Sequence, residues 1–275
     1  MSAAPSNSAN FCYRHPDRQS FILCQRCGRT VCPECQTQAA VGVHCPECVK
    51  EARASAPRTR PAILTSLRSG NRPVVTYSII ALCIVIYITQ ILPNSPVTNA
   101  LVYYPPFTAI EPWRMITSLF VHSPGSIFHI LFNMYSLFIF GPILERGLGR
   151  VRFIALYLLS GLGGSVGVLL LSPSTPVLGA SGAIFGLLGA FFVINRKLGG
   201  NNIQLIIVIG LNLVLGFIVP NVAWQAHLGG LVVGAAVAFV YLRTRRPDQR
   251  NLQVIMTIAI FVALVLLTVA RIFVF

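Results

Sequence analysis

The chain contains few charged residues, and very few of those are acidic. Charged residues make up 10% of its 275 residues and hydrophobic residues 55%, which excludes an ordinary soluble globular protein. Between Pro61 and Pro247 the only carboxylates are those of Glu111 and Glu145. The chain also opens without a secretory signal, since residues 1–10 are polar and small. We therefore expect the N-terminal region to stay in the cytoplasm, where thiols remain reduced.

Cysteine is concentrated at the N-terminus, where residues 1–50 hold seven of the eight cysteines. These cysteines and one histidine form four pairs with a two-residue spacing: Cys12 and His15, Cys24 and Cys27, Cys32 and Cys35, Cys45 and Cys48. Eight such ligands suffice for two tetrahedral zinc ions, whose binding would supply the folding energy of a module too small for a large core. An odd number of cysteines argues against disulfides, and His44 is a spare candidate ligand.

Apolar segments dominate the chain after Pro73. A helix needs about 20 residues to cross the apolar part of a bilayer. Seven segments approach that length: 74–92, 127–144, 153–171, 181–194, 203–219, 222–242 and 254–275. The fourth is short and rich in glycine, so we expect it at the centre of the bundle. The loop 93–126 is apolar and aromatic, which predicts a structure lying in the membrane interface.

The net charge of +14 raises the alternative of nucleic-acid binding, but the position of the charges argues against it. Of the 21 Lys and Arg residues, 19 lie in four segments that alternate with the apolar ones: 1–72, 145–152, 195–202 and 243–253. Basic residues accumulate on the cytoplasmic side of membrane proteins. The pattern predicts a multi-pass cell-membrane protein with a cytoplasmic N-terminus, an outer C-terminus and no nucleic-acid partner.

With that orientation, Ser181 and His227 both lie near the outer ends of their predicted helices. Serine becomes a nucleophile only beside a base, and histidine is the usual one. Glu145 lies on the opposite side of the bilayer, and Glu111 would reach His227 only if its loop folded inward, so the sequence favours a Ser–His dyad. Either residue taken alone has a plainer interpretation, a helix-packing serine or a proton-relay or packing histidine.

His129 and Asn133 share one face of the second predicted span because they are four residues apart. An acyl-transfer site needs donors for the developing oxyanion, and these side chains and the Ser181 amide are candidates. The alternative is a hydrogen-bonding pair between helices.

Glycines at a four-residue spacing predict close contact between the fourth and sixth spans. Gly182 and Gly186 lie on the fourth span, and Gly230 and Gly234 lie on the sixth. Close packing there would bring His227 to Ser181, and Phe185 could then pack against the imidazole.

Taken together, these stretches resemble the rhomboid intramembrane serine proteases over roughly residues 73–245. The resemblance rests on these segments: Glu111-Pro112-Trp113-Arg114, His129-Ile130-Leu131-Phe132-Asn133, Glu145-Arg146-Gly147-Leu148-Gly149, Gly179-Ala180-Ser181-Gly182 and Ala226-His227-x-x-Gly230-x-x-x-Gly234. It implies that Ser181 is the nucleophile and His227 the general base. It also implies that His129, Asn133 and the Ser181 amide hold the oxyanion, and that Trp113 and Arg114 are structural. Phe185 stands where some members have tyrosine.

The family resemblance also implies a partner and a reaction. Its members cleave single-span membrane proteins at or near the outer membrane surface, with no metal required for catalysis. The cysteine spacing resembles a B-box-type zinc finger, which implies interleaved sites: the first and third pairs share one ion, and the second and fourth share the other. Such modules usually bind proteins, so the module either recruits a cytosolic partner or substrate or stabilises the chain.

The predicted fold is an all-α polytopic membrane protein with a six-helix rhomboid-like core, a seventh C-terminal helix and a small zinc-stabilised N-terminal domain. The expected segments are a disordered tail 1–10, a two-zinc finger 11–50, a basic linker 51–72, the core 73–250 and the extra helix 251–275. A non-proteolytic scaffold or chaperone on this fold is the alternative function. A small-solute transporter is disfavoured because the spans lack an obvious inverted repeat.

Overall fold

The structure is a computed structural model that describes residues 10–39, 41–55, 72–218 and 222–274. Most of the expected tail 1–10 and most of the expected linker 51–72 lie outside these residues. The chain divides into two compact units, Met1–Pro61 and Ala62–Phe275, which are described separately.

The N-terminal unit is built from short strands and one helix. Strand β1 (Phe11–Cys12) pairs antiparallel with β2 (His15–Gln19), and β3 (Thr37–Gln38) pairs antiparallel with β4 (Val43–His44). Helix α1 (Pro46–Ser55) follows β4. Apart from Val31 and Val43, the buried core of this unit consists of cysteines. Since so little apolar surface is buried, hydrophobic packing alone cannot hold the unit together.

The second unit is a bundle of helices, which confirms the predicted membrane fold. Its long helices are α2 (Val74–Gln90), α5 (Ile127–Leu148), α6 (Arg150–Leu171), α7 (Ser181–Lys197), α8 (Ile203–Ile218), α9 (Trp224–Arg243) and α10 (Arg250–Val274). Two short helices, α3 (Val97–Leu101) and α4 (Arg114–Thr117), lie between α2 and α5. In the described part of the chain, α5, α6, α9 and the segment Pro247–Phe273 around α10 are long and apolar enough to cross a membrane. Helices α2 and α8 are apolar but shorter.

Helix α7 lies in the middle of the bundle, as its glycine content predicts. Every residue from Gly182 to Ala190 is buried, whereas α10 leaves many large apolar side chains exposed. Exposed apolar side chains are unfavourable in water and favourable against lipid tails. The difference identifies α7 as a helix surrounded by protein and α10 as a helix with extensive lipid contact.

Glu145 joins two helices at the end of the bundle opposite Ser181. Its carboxylate accepts hydrogen bonds from the amides of Val75 and Thr76 at 3.0 and 2.7 Å, and from the Thr76 hydroxyl at 2.7 Å. The first amides of a helix have no acceptor within the helix, and they carry partial positive charge. The carboxylate therefore caps α2 from the side chain of α5.

The loop before α5 is folded, with buried side chains such as Tyr103 and Leu119. Arg114 donates hydrogen bonds to the carbonyls of Asn99 and Val102 and forms an ion pair with Glu111. Trp113 is largely exposed. The main chain of Tyr103 also pairs with that of Val177, which lies just before α7. The loop is thereby attached to the segment that carries Ser181.

Candidate active site and metal centres

Ser181 is the first residue of α7, and the turn before it depends on a glycine. Gly179 has a φ of +117°, a conformation that side-chain-bearing residues rarely adopt, and its amide donates to the Ser118 carbonyl at 2.9 Å. This bond connects the turn to the folded loop. A first-turn amide such as that of Ser181 has no acceptor within its helix, so it is free to bind a ligand oxygen.

His227 lies in the first turn of α9, and the structure brings it to Ser181. Its Nε2 is 3.0 Å from the Ser181 Oγ. The imidazole stacks on Phe185, with ring centroids 4.1 Å apart and planes inclined by 4°. Both histidine and phenylalanine rings are thereby held in one orientation. The Nδ1 of His227 is buried and has no hydrogen-bond partner within the described residues.

Neither acidic residue of this region is available to orient the imidazole. Glu111 pairs with Arg114 in the loop, and Glu145 caps α2. A carboxylate on Nδ1 is the usual third member of a serine protease triad. The structure therefore holds the His227 imidazole beside Ser181 by ring stacking on Phe185, and neither of these two carboxylates contacts it.

The contact between α7 and α9 depends on glycines, which have no side chain to keep the two helices apart. A Cβ on Gly230 would overlap the carbonyl oxygen of Gly182, and a Cβ on Gly234 would overlap that of Gly186. The two backbones touch along this line, which we call the glycine seam. The seam fixes the separation of the two helices and thus the distance between Ser181 and His227.

A third helix joins this contact, which sequence reasoning missed. A Cβ on Gly229 of α9 would overlap the carbonyl oxygen of Gly163 on α6, and one on Gly167 would lie 2.5 Å from the Gln225 carbonyl oxygen. The sequence signal for this close contact was the presence of four glycines in one span, Gly161, Gly163, Gly164 and Gly167. Its partner helix could not be identified without the packing.

His129 faces the same site. The amide of Ser123 donates to its Nδ1 at 3.1 Å, so a neutral His129 carries its proton on Nε2. That Nε2 is directed to Gly179. A Cβ added to Gly179 would lie 2.7 Å from the His129 Nε2 and 3.9 Å from the Ser181 Oγ. His129 therefore presents an N–H donor to the Gly179 turn that precedes Ser181.

Asn133 lies one turn further along α5 and is buried. One of its Nδ2 hydrogens is donated to the His129 carbonyl at 2.7 Å, and its Oδ1 has no partner within the described residues. The second Nδ2 hydrogen remains for a ligand. The i, i+4 spacing thus yields a bond within one helix, and not the interhelical pair considered as the alternative.

His122 is a further histidine that the sequence did not single out. Its ring is fully buried, lies 5.3 Å from the ring of His129, and has no hydrogen-bond partner at either nitrogen in the described part of the chain. Burial, and then the nearby His129, lower the pKa of His122 to about 3. The ring is therefore neutral at physiological pH. Its main chain is held by Gln90, whose side chain bonds both the amide and the carbonyl.

The N-terminal unit contains two groups of metal-ligating side chains. Their members are Cys12, His15, Cys32 and Cys35 in one group, and Cys24, Cys27, Cys45 and Cys48 in the other. Within each group the ligand atoms lie within 4.8 Å of one another. Each group combines alternate pairs along the chain, the interleaved pattern expected from the B-box resemblance. His44 belongs to neither group.

The donor atoms suit a tetrahedral metal ion. Ligands about 2.3 Å from zinc would place sulfur atoms about 3.8 Å apart, and the Sγ atoms of Cys27 and Cys45 are 3.7 Å apart. Burial raises the pKa of Cys12, but hydrogen bonds from backbone amides and His15 outweigh it and lower the value to about 6. Burial and the neighbouring thiols raise the pKa of Cys35 to about 11. A bound cation would compensate the negative charge that opposes ionisation of the last thiols.

Residues 109–244 match the rhomboid domain family. The chain is 36% identical over 208 residues to rhomboid protease GluP of Bacillus subtilis, covering 70% of this chain and 40% of GluP. It is 41% identical over 153 residues to RHOMBOID-like protein 1 of Arabidopsis thaliana, covering 51% of this chain and 38% of that protein.

A shorter relative is covered almost completely. The chain is 32% identical over 182 residues to rhomboid protease GlpG of Haemophilus influenzae, which amounts to 62% of this chain and 93% of that protein. By contrast, the chain spans only about two fifths of the length of GluP and of RHOMBOID-like protein 1. The rhomboid domain match contains the last part of the loop from Ala109 onward, the glycine seam and the Ser181–His227 pair.

Proposed function

Because this chain belongs to the rhomboid family, we propose that it is an intramembrane serine protease with Ser181 and His227 as its catalytic dyad. The observation that carries the proposal is the 3.0 Å contact between the Ser181 Oγ and the His227 Nε2. A hydroxyl and an imidazole at this distance can exchange a proton, which is the requirement for an activated serine.

In the first step, the Ser181 Oγ attacks the carbonyl carbon of the scissile peptide while its proton moves to the His227 Nε2. This step requires the Nε2 lone pair, so the resting imidazole carries its proton on Nδ1. Stacking on Phe185 keeps the ring plane in position for the transfer. The product is a tetrahedral intermediate with a negatively charged oxygen.

That oxyanion would be held by three donors: the His129 Nε2–H, the free Nδ2–H of Asn133 and the Ser181 amide. The bond from the Ser123 amide supports this role for His129, because it leaves the proton on the nitrogen that faces Gly179. Donors that are already oriented need no reorganisation when charge develops.

The intermediate then collapses, and His227 gives its proton to the departing amine. Water then attacks the carbonyl carbon of the resulting acyl-serine while its proton moves to His227. The bond from that carbon to the Ser181 Oγ breaks, His227 returns the proton to the Oγ, and the acid product leaves. Residues of the chain supply every proton transfer in this cycle, so we propose that catalysis needs no metal.

We propose that the substrates are single-span membrane proteins cleaved near the outer membrane surface. Ser181 begins α7, whereas Arg196 and Lys197 lie in its last turn. Basic residues favour the cytoplasmic side, so the opposite end of the helix, with the serine, belongs near the outer side. The same argument, applied to 19 of the 21 Lys and Arg residues, gives a cytoplasmic N-terminus and an outer C-terminus in a cell membrane.

This orientation predicts that an epitope tag added after Phe275 is accessible from outside. In right-side-out vesicles an added protease should remove the C-terminal tag and spare an N-terminal one. Inverted vesicles should give the opposite result. Protection of the C-terminal tag in right-side-out vesicles would contradict the proposed orientation.

The test of function is cleavage of a single-span membrane substrate by the full chain in liposomes. Ser181→Ala and His227→Ala should each lower turnover by on the order of 10⁴-fold or more, because the two side chains act as one unit. Ser172→Ala is a matched control, since Ser172 lies just after α6 and bonds Thr175. Cleavage that survives in Ser181→Ala would refute the dyad. A folded wild type that cleaves no substrate in a panel would favour a non-proteolytic scaffold.

We further propose that the two metal groups hold structural zinc ions and that the N-terminal unit binds a cytosolic protein. The thiolate and imidazole donors are those that zinc prefers in structural sites. Four protein ligands at each ion leave no open position for catalysis, so the role would be to fold the unit.

A further inference from the structure

A concave site lies at the end of the bundle remote from Ser181. It is a cavity of about 400 Å³ between the C-terminal ends of α5, α7 and α9 and the beginning of α6. Ile194, on its wall, is 13 residues after Ser181 on α7, which corresponds to a separation of about 20 Å. The cavity is therefore separate from the site of the proposed reaction and has no part in it.

The cavity has an apolar wall and a basic rim. Its apolar wall includes Leu144, Leu148, Phe191, Ile194 and Leu198. Arg152 and Arg245, both exposed, also line it. A pocket that combines an apolar surface with cationic groups suits a ligand with a hydrocarbon part and an anionic part.

The guanidinium of Arg152 is held in place by a buried network. Its Nε donates to the Gln253 Oε1 at 2.7 Å. The Gln253 Nε2 in turn donates to the Thr244 Oγ1 at 2.9 Å and to the Thr244 carbonyl at 3.1 Å. Gln253 and Thr244 are both buried. The Nε of Arg152 is thereby fixed by α10, while its two terminal nitrogens remain available for an anion.

The electrostatic environment at this end is strongly positive. Other basic side chains occur on the same helix ends and connections: Arg146, Arg150, Arg196, Lys197, Arg243 and Arg246. The nearby carboxylate of Glu145 accepts hydrogen bonds from the first amides of α2. Among the described residues of this unit, neither Arg152 nor Arg245 forms an ion pair with a carboxylate. The basic side chains of this end therefore outnumber its two acids, Glu145 and the exposed Asp248.

We propose that this cavity binds one anionic phospholipid from the leaflet on the basic side of the protein. The phosphate would lie between Arg152 and Arg245, and an acyl chain would follow the wall formed by Leu148 and Phe191. Guanidinium groups bind phosphate oxygens strongly, and basic pockets between transmembrane helices suit lipid headgroups. A free phosphate would leave the apolar wall without a partner, which favours the lipid.

The test is lipid binding by the full chain in mild detergent, measured by native mass spectrometry during titration with phosphatidylglycerol. The double variant Arg152→Gln/Arg245→Gln should bind about tenfold more weakly or worse. The matched control is Arg150→Gln/Arg246→Gln, which removes the same charge from exposed neighbours that do not line the cavity. It should stay within about twofold of wild type. Thermal unfolding of both variants checks that the fold is retained.

Three results would overturn the proposal. Equal losses in the two double variants would mean that only the general positive charge attracts the lipid. Equal binding of phosphatidylcholine would mean that the anionic headgroup is not recognised. Displacement of the lipid by inorganic phosphate or glycerol phosphate would mean that the site takes a soluble anion. Since no readout is proteolysis, failure here would leave the proposed enzyme activity untouched.

Discussion

At the scale of single residues, the candidate active site depends on which nitrogen each histidine leaves free. The Ser123 amide occupies the Nδ1 of His129, so the proton of a neutral ring lies on Nε2. His227 contacts Ser181 through Nε2, which must be free of a proton to act as a base. One imidazole is arranged as a donor and the other as an acceptor. This difference in tautomer separates the proposed oxyanion donor from the proposed base.

We predict that His129→Ala lowers kcat by about 10² to 10³-fold and changes KM little, because an oxyanion donor acts only when charge develops. Measurement of both constants with one membrane substrate tests this. Phe128→Ala is the control, since Phe128 is the preceding residue on α5 and is exposed. It should retain near wild-type kcat. A raised KM with unchanged kcat in His129→Ala would assign the residue to substrate binding.

At the scale of helices, the glycine seam determines the geometry of the proposed dyad. Ser181 and His227 are on different helices, so any increase in the distance between α7 and α9 separates them. Gly234 touches the backbone of Gly186, and no movement of a flexible side chain can relieve an overlap with a carbonyl oxygen. Side chains at the seam are therefore excluded on steric grounds.

We predict that Gly234→Val destabilises the bundle by about 1 to 3 kcal/mol, the usual cost of overpacking, and abolishes most cleavage activity. Thermal unfolding in detergent and the cleavage assay measure the two effects. Gly210→Ala on α8 is the control, because no atom lies within 4 Å of the position of its Cβ. It should retain activity and be neutral or slightly stabilised. An active, stable Gly234→Val would show that α7 and α9 can move apart without consequence.

At the scale of the whole molecule, two units fold by different physical means. The helical unit buries an apolar core, which includes Phe153, Leu187 and Val237. The N-terminal unit buries mostly cysteines, so its stability is expected to come from metal binding. The division of the chain at residue 61 separates these two sources of stability.

We predict that the purified chain contains two zinc ions, and that Cys12→Ser and Cys24→Ser each lower the content to one. Structural zinc sites contribute about 10 to 16 kcal/mol per ion, so a strong chelator should unfold the N-terminal unit. Elemental analysis and limited proteolysis of residues 10–55 measure these outcomes. Cleavage of a membrane substrate should persist after chelation. His44→Ala is the control and should keep both ions, as His44 lies outside both groups.

Much of this organisation could be predicted from the sequence, because the patterns that indicate it are local. Two-residue spacings define each pair of candidate metal ligands, and apolar runs define the spans. Ser181 and His227 stand out because polar groups in apolar helices are costly. The role of Glu145 could not be read, because the amides it caps are 69 and 70 residues away in sequence. His122 was missed for the same reason, since only folding of the loop places it beside His129.

The fold class, the two-part organisation and the candidate ligands could be predicted from composition and from spacings along one helix or one turn. The family and the roles of the candidate catalytic side chains came from the resemblance of the quoted segments to rhomboid proteases. Only the tertiary structure decided the 3.0 Å Ser181–His227 contact, the stacking on Phe185, the third helix at the glycine seam and the basic cavity. The physical reason is that each of these depends on distances between separate helices, which are set by packing of backbones and side chains and not by periodicity within a segment.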